Sequence, residues 1–219
     1  GGIQALQFSI HFPKFANRIN AMAATYETQP WAIAFNKVAQ ESILHDPDFK
    51  KGYYDPEDLH ENGLSGMAVG RMAGHISFLS PHSMQEKFGR EYKRTDGLYE
   101  LFGKFQVESY LEYNGNNFTK WFDPLAYLYI TKAINIYDLS RGFDSLEQAL
   151  LKIEADMYLV GFKDDMLFKS DEMKLIADRL AKRKTLKSDY LEVDSNYGHD
   201  AFLVELDKFD DYLIKALHE

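Results

Sequence analysis

Apolar positions along this chain fall into two textures. Near both ends, short apolar runs alternate with amphipathic stretches; in the middle the spacing is helical throughout. Ile3, Leu6, Ile10 and Phe12 predict a first helix stopped by Pro13, and Ile19 to Ala24 then alternates and turns small and apolar, as a buried strand does. From Pro30 helices follow one another: Trp31 to Leu44, Gly63 to Leu79, Val107 to Tyr113, and one opened by Asp123-Pro124 that runs to about Ile136. Four helices in a row without a strand do not belong to an alternating unit.

Strand character returns at Met157 to Phe162, after a short helix carrying Leu146, Leu150 and Leu151. A helix from Asp171 to about Arg183, a strand at Tyr190 to Val193 and an amphipathic helix from Leu206 to Leu217 complete a β-α-β-α rhythm. Such a rhythm implies parallel strands joined by crossovers. The expected class is therefore α/β with a large helical insertion. Its seams are expected near Glu27 to Pro30 and Ser140 to Asp144, which gives core residues 1–29, a helical block 30–145 and core residues 146–219.

Composition narrows the function classes. With 219 residues and 45% apolar content the chain can bury a sizeable core. A net charge of −9 without a Lys/Arg cluster argues against a nucleic-acid surface, which needs a concentrated positive field. Cysteine is absent, so there is no thiolate nucleophile or zinc-thiolate site, in keeping with a reducing cytoplasm. No apolar run reaches the ~20 residues that cross a bilayer, so no membrane role is expected. Aromatic residues make up 15% and crowd between Tyr92 and Tyr137, which suits a cleft, an oligomer contact or plain core packing.

Two segments carry candidate chemistry. Val160-Gly161-Phe162-Lys163-Asp164-Asp165 and Ser195-Asn196-Tyr197-Gly198-His199-Asp200 each place titratable groups just after an apolar strand, where α/β folds put their reactive side chains. A histidine that works as general base needs one tautomer fixed by an acceptor and a loop from which to reach substrate. On spacing alone the same residues read rather as a strand-end histidine capped by any nearby acceptor and a solvated Asp164-Asp165 turn. His11, His45, His60, His75, His82 and His218 show no metal-ligand spacing, so no metal is expected. The stretch Gly97 to Phe105 misses the phosphate-loop pattern by one residue and ends on Phe where Ser or Thr would hold magnesium.

These segments resemble the homoserine O-acetyltransferases, α/β-hydrolase-fold acyltransferases of methionine biosynthesis. The likeness runs through Gly1-Gly2-Ile3-Gln4-Ala5-Leu6, similar to the tail of the family's nucleophile-elbow sequence G-x-S-x-G-G-x-Q-A. It continues through Ile33 to Asn36, Gly70 to Ser80, Lys87 to Arg90, Phe105 to Leu111 and the two segments above. The resemblance implies the C-terminal part of an α/β-hydrolase fold whose helical block is a lid. It assigns Asp165, rather than Asp164, and His199 to the catalytic triad, and places the Ser two residues before Gly1. It assigns Arg71 to the substrate carboxylate and Asp200 to the substrate ammonium. Without it, Arg71 reads as a surface ion pair and Asp200 as a helix cap.

The implied reaction is acetyl transfer from acetyl-CoA, a co-substrate, to L-homoserine, with no further cofactor, in a cytoplasmic homodimer joined through the lid. The missing N-terminal part of the same protein is an implied partner. Phe78 stands where the family often has Tyr, and Lys163-Asp164 replace smaller polar residues. A succinyl donor, a serine acceptor, a plain esterase and a non-catalytic fragment are the alternatives.

Overall fold

A computed structural model describes residues 1–94, 99–183 and 185–218. Gly97 and Leu98 of the near-phosphate-loop stretch lie outside the described residues. The chain divides into two compact units, Gly1–Gln29 with Ile136–Glu219, and Pro30–Asn135.

The first unit holds a parallel sheet of β1 (Arg18–Met22), β2 (Asp156–Phe162) and β3 (Ser188–Val193) in that order. Ala21 pairs with Leu159, and Leu159 with Tyr190. Every residue of β2 from Met157 to Phe162 is buried, which is why its sequence is an unbroken apolar run. Met157 and Leu159 face one core with Leu6 and Ile10 of α1 (Gly2–His11), Leu150 of α8 (Leu146–Leu150) and Met173 and Ile176 of α9 (Ser170–Leu180). Val160 and Phe162 face the other, with Ala201 of α10 (Ala201–Val204), Phe209, and the flank of α11 (Asp210–His218).

The helix expected over Leu206 to Leu217 is instead a 3₁₀ turn, Leu206–Lys208, followed by α11. Phe209 between them leaves helical geometry at φ −145° and turns its ring onto Phe162, with centroids 5.5 Å apart. Burial of one aromatic side chain outweighs a turn of helix.

The helical block ends earlier than its expected boundary at 145. The Thr28 N–H donates to the Tyr137 carbonyl at 3.1 Å and the Leu139 N–H to the Tyr26 carbonyl at 2.7 Å. That bridge, with Leu139 fully buried in the sheet core, ties the chain from Ile136 onward to the first unit.

The second unit contains α2 (Pro30–Leu44), a 3₁₀ turn (Pro47–Gly52), α3 (Pro56–Asn62), α4 (Ser65–Phe78), α5 (Pro81–Phe88), α6 (Gln106–Thr119) and α7 (Pro124–Asn135). Four expected helices have become six among the described residues. The two additions, α3 and α5, are short and polar, so periodicity does not reveal them. Their starts are nevertheless written as an oxygen-bearing cap before proline: Asp55 accepts from the Glu57 N–H and Ser80 from the Ser83 N–H. Asp46-Pro47 and Asp123-Pro124 repeat the device. The core here is Ile43, Phe49, Leu59, Leu64, Met67 and Phe118. Close approach of α4 to α2 requires glycine: a Cβ on Gly66 would lie 2.0 Å from the Ser42 carbonyl oxygen.

Candidate active site

Asp165 and His199 are carried by the C-terminal ends of neighbouring strands. The Lys163 N–H donates to the Val193 carbonyl at 3.2 Å, so the ends of β2 and β3 stay paired where the two loops depart. The His199 loop turns through Gly198, whose φ of +99° favours glycine. His199 then stands two residues before the short helix α10.

The Asp165 side chain is fully buried and every hydrogen bond it accepts has a structural origin. Oδ1 accepts from the Leu167 and Phe168 backbone N–H groups at 2.8 and 2.9 Å. Oδ2 lies 2.7 Å from His199 Nδ1. The two backbone donors fix the carboxylate plane, leaving its second oxygen aimed at the imidazole. Because a carboxylate only accepts, Nδ1 carries the proton and Nε2 is the ring nitrogen that can take another. Phe168 and Phe202 meet the imidazole edge-on, each with centroids 5.4 Å away. The hydrogen bond to Asp165 and the two aromatic walls hold the ring, with 16% of its side chain exposed. Proton transfer to a substrate or nucleophile is what this arrangement can do.

Asp200 occupies the cap position of α10 without a side-chain capping bond, directly beside His199. Arg71 lies on α4 in the helical unit. Its guanidinium carbon is 4.5 Å from the Phe118 ring centroid and 5.2 Å from that of Phe78, a cation held over two aromatic faces. One turn further on, the His75 imidazole is buried and its pKa is pushed down to about 4, first by burial and then by Arg71 and Lys87. Asp165 and His199 are thus brought together; Arg71 belongs to the other unit and is defined here by its own neighbours. No group of three or more His, Cys, Asp or Glu able to hold a metal occurs among the described residues.

The Leu167 and Phe168 amides at the site have no side-chain pattern by which the sequence reveals them. The aromatic walls Phe168 and Phe202 and the roles of Ser195 and Glu205 are likewise visible only in the structure. Ser195 is fully buried, accepts from the Tyr197 N–H at 3.0 Å and donates to the Glu205 carboxylate, so it braces the histidine loop.

A parallel sheet with helical cores on both faces, and a carboxylate and histidine on successive strand ends, define an α/β-hydrolase fold. The solved structures agree. A crystal structure of homoserine O-acetyltransferase from Bacillus anthracis aligns with a TM-score of 0.89 and 22% identity, over 100% of this chain and 58% of that one. The crystal structure of esterase E22 aligns at 0.83 with 19% identity, over 100% and 59%. In sequence, the protein named homoserine O-acetyltransferase in Sulfurimonas autotrophica is 73% identical over 218 residues, covering 100% of this chain and 59% of the relative. The chain is similar along its whole length to proteins named homoserine O-acetyltransferase and spans about three fifths of the length of the curated relatives it matches. No family model matches it.

Proposed function

We propose that this chain supplies the acid–histidine half of a homoserine O-acetyltransferase that works by two-step acyl transfer. The reading is supported above all by the hydrogen bond between His199 Nδ1 and Asp165 Oδ2, in a chain so similar to proteins of that name. The nucleophile is the Ser that the family resemblance places before Gly1. His199 Nε2 takes the proton from its hydroxyl as the oxygen attacks the thioester carbonyl of acetyl-CoA. Collapse of the tetrahedral intermediate breaks the C–S bond, and His199 returns the proton to the departing CoA sulfur. The hydroxyl of L-homoserine, deprotonated by the same nitrogen, then attacks the acetyl ester and regenerates the serine.

Homoserine is a zwitterion, so its recognition calls for a guanidinium for the carboxylate and an anion for the ammonium. Arg71 and Asp200 take those roles in this reading, which the resemblance supports. The reaction needs no cofactor beyond acetyl-CoA as co-substrate. A cytoplasmic homodimer is part of the same reading; no helix among the described residues is long and apolar enough to cross a membrane.

Acetyl and succinyl donors should be assayed against homoserine and serine, together with a neutral ester, in protein of the relatives' full length carrying this sequence. The expected result is preference for acetyl-CoA and homoserine, with Arg71→Ala and Asp200→Ala each lowering homoserine use by roughly a hundredfold and sparing ester hydrolysis. Equal loss on the neutral ester, or none on homoserine, overturns the assignment of those two residues.

A further inference from the structure

Four residues before the histidine, the chain passes through a closed set of hydrogen bonds that the reaction as derived does not use. Ser195 is fully buried although it is a polar residue in a loop. Its hydroxyl accepts the Tyr197 N–H at 3.0 Å and donates to Glu205 Oε2. The other oxygen of that carboxylate, Oε1, pairs with Lys208 Nζ at 2.8 Å. Lys208 Nζ in turn donates to the Asp194 carbonyl at 3.1 Å, back at the start of the loop. The circuit therefore grips the segment at Asp194, Ser195 and Tyr197, with Gly198 as the one remaining joint before His199. Glu205 and Lys208 lie beyond α10, so the strand-end loop is tied to the chain that follows the histidine on its other side.

We propose that Ser195, Glu205 and Lys208 form a latch that positions His199, fixing the ring's approach to Asp165 from the loop side. Its catalytic consequence rests on the acyl-transfer reading above. Asp165 controls one edge of the imidazole; the latch controls where the Cα of that residue stands. A general base displaced by about 1 Å loses much of its rate, so such a loop has reason to be held by buried polar contacts rather than by packing alone. Burial works against the Glu205 charge, yet the hydrogen bonds from Lys208 and Ser195 hold its carboxyl below the usual range, keeping it an acceptor.

The test uses Ser195→Ala and Glu205→Gln in protein of the relatives' full length, with Lys215→Ala as a structural control. Lys215 pairs with Asp189 at 2.8 Å in the same unit. Two readouts are needed: steady-state acetyl transfer to homoserine, and the low-field proton resonance of the His199 Nδ1–H bonded to Asp165, which needs no activity. The latch predicts that kcat falls about tenfold or more in each variant with both KM values within about twofold. It also predicts that the resonance broadens or disappears well below the unfolding temperature, and that the double variant is no worse than the poorer single one. The control should lose thermal stability alone. Unchanged kcat and an unchanged resonance in folded variants overturn the latch; if Ser195→Ala does not fold, Glu205→Gln decides. A wild-type protein without acetyl transfer refutes the functional reading instead, and the resonance alone then decides whether the loop is held as proposed.

Discussion

Replacing Asp165 by Asn exchanges one oxygen for an NH2 group and nothing else in volume, yet the surrounding donors dictate which way the amide must face. The Leu167 and Phe168 N–H groups, at 2.8 and 2.9 Å, require an acceptor at the Oδ1 position. Turning the amide round would leave both donors facing an NH2 group. At ~1 kcal/mol or more for each lost bond, the oxygen-inward orientation wins by at least ~2 kcal/mol, roughly thirtyfold. The NH2 group is then presented to His199 Nδ1, 2.7 Å away in the native pair, and the imidazole must accept there. Its proton moves to Nε2, the atom that acts as base in the proposed transfer. All three hydrogen bonds survive, so stability should change by under ~1 kcal/mol while kcat falls by roughly 10³ to 10⁴. In protein of the relatives' full length, a steady-state assay of the proposed acetyl transfer at neutral pH gives the rate, thermal melting checks the fold, and nitrogen chemical shifts of His199 report the tautomer. Activity within tenfold of wild type, or a His199 still protonated at Nδ1, would show that Asp165 does not set the tautomer of the base.

Two further outcomes follow from the helical unit. His75 is buried with Phe78 and Tyr110 packed edge-on and with Arg71 and Lys87 raising the local potential, so folded protein binds its proton only near pH 4 while unfolded chain binds it near 6.5. The unfolded state holds more protons between those values, so this contribution is intact above pH ~6.5 and lost as pH falls towards 4. At ~1.4 kcal/mol per unit it amounts to at most roughly 3 kcal/mol. Urea titrations from pH 7 to 4.5 should show wild type losing more stability than His75→Gln; parallel curves would exclude the effect. Gly66→Ala should destabilise by about 1–3 kcal/mol, because its Cβ would sit 2.0 Å from the Ser42 carbonyl oxygen and α4 must move off α2. An unchanged melting temperature would mean that those helices do not pack so closely.

How much of this was legible in the residues depends on what kind of force shapes each part. The buried run Met157 to Phe162 announces β2 because both faces of that strand are covered, and Ile19 to Ala24 announces β1 for a related reason. Asp123-Pro124 announces α7 through its cap. Where local signals are short, tertiary contacts took over: Phe209 breaks the final helix to reach Phe162, and the pairing of Tyr26 with Leu139 pulls residues after Asn135 into the sheet unit. At the site, spacing left Asp164 and Asp165 open, and only family resemblance chose between them. The structure shows the physical difference: Asp165 is the one whose carboxylate meets two backbone amides and the imidazole. Backbone donors carry no sequence signature, and a contact such as Ser195 to Glu205 spans ten positions without any periodic pattern.

Mixing acetyl-CoA alone with protein of the relatives' full length, and weighing the intact product by mass spectrometry, tests most directly whether His199 and Asp165 activate an alcohol for acyl transfer. If they do, the protein becomes covalently acetylated and releases about one equivalent of CoA before any homoserine is added, and His199→Ala abolishes both. CoA release only once homoserine is present, or an adduct that forms equally well without the imidazole, would contradict that activation.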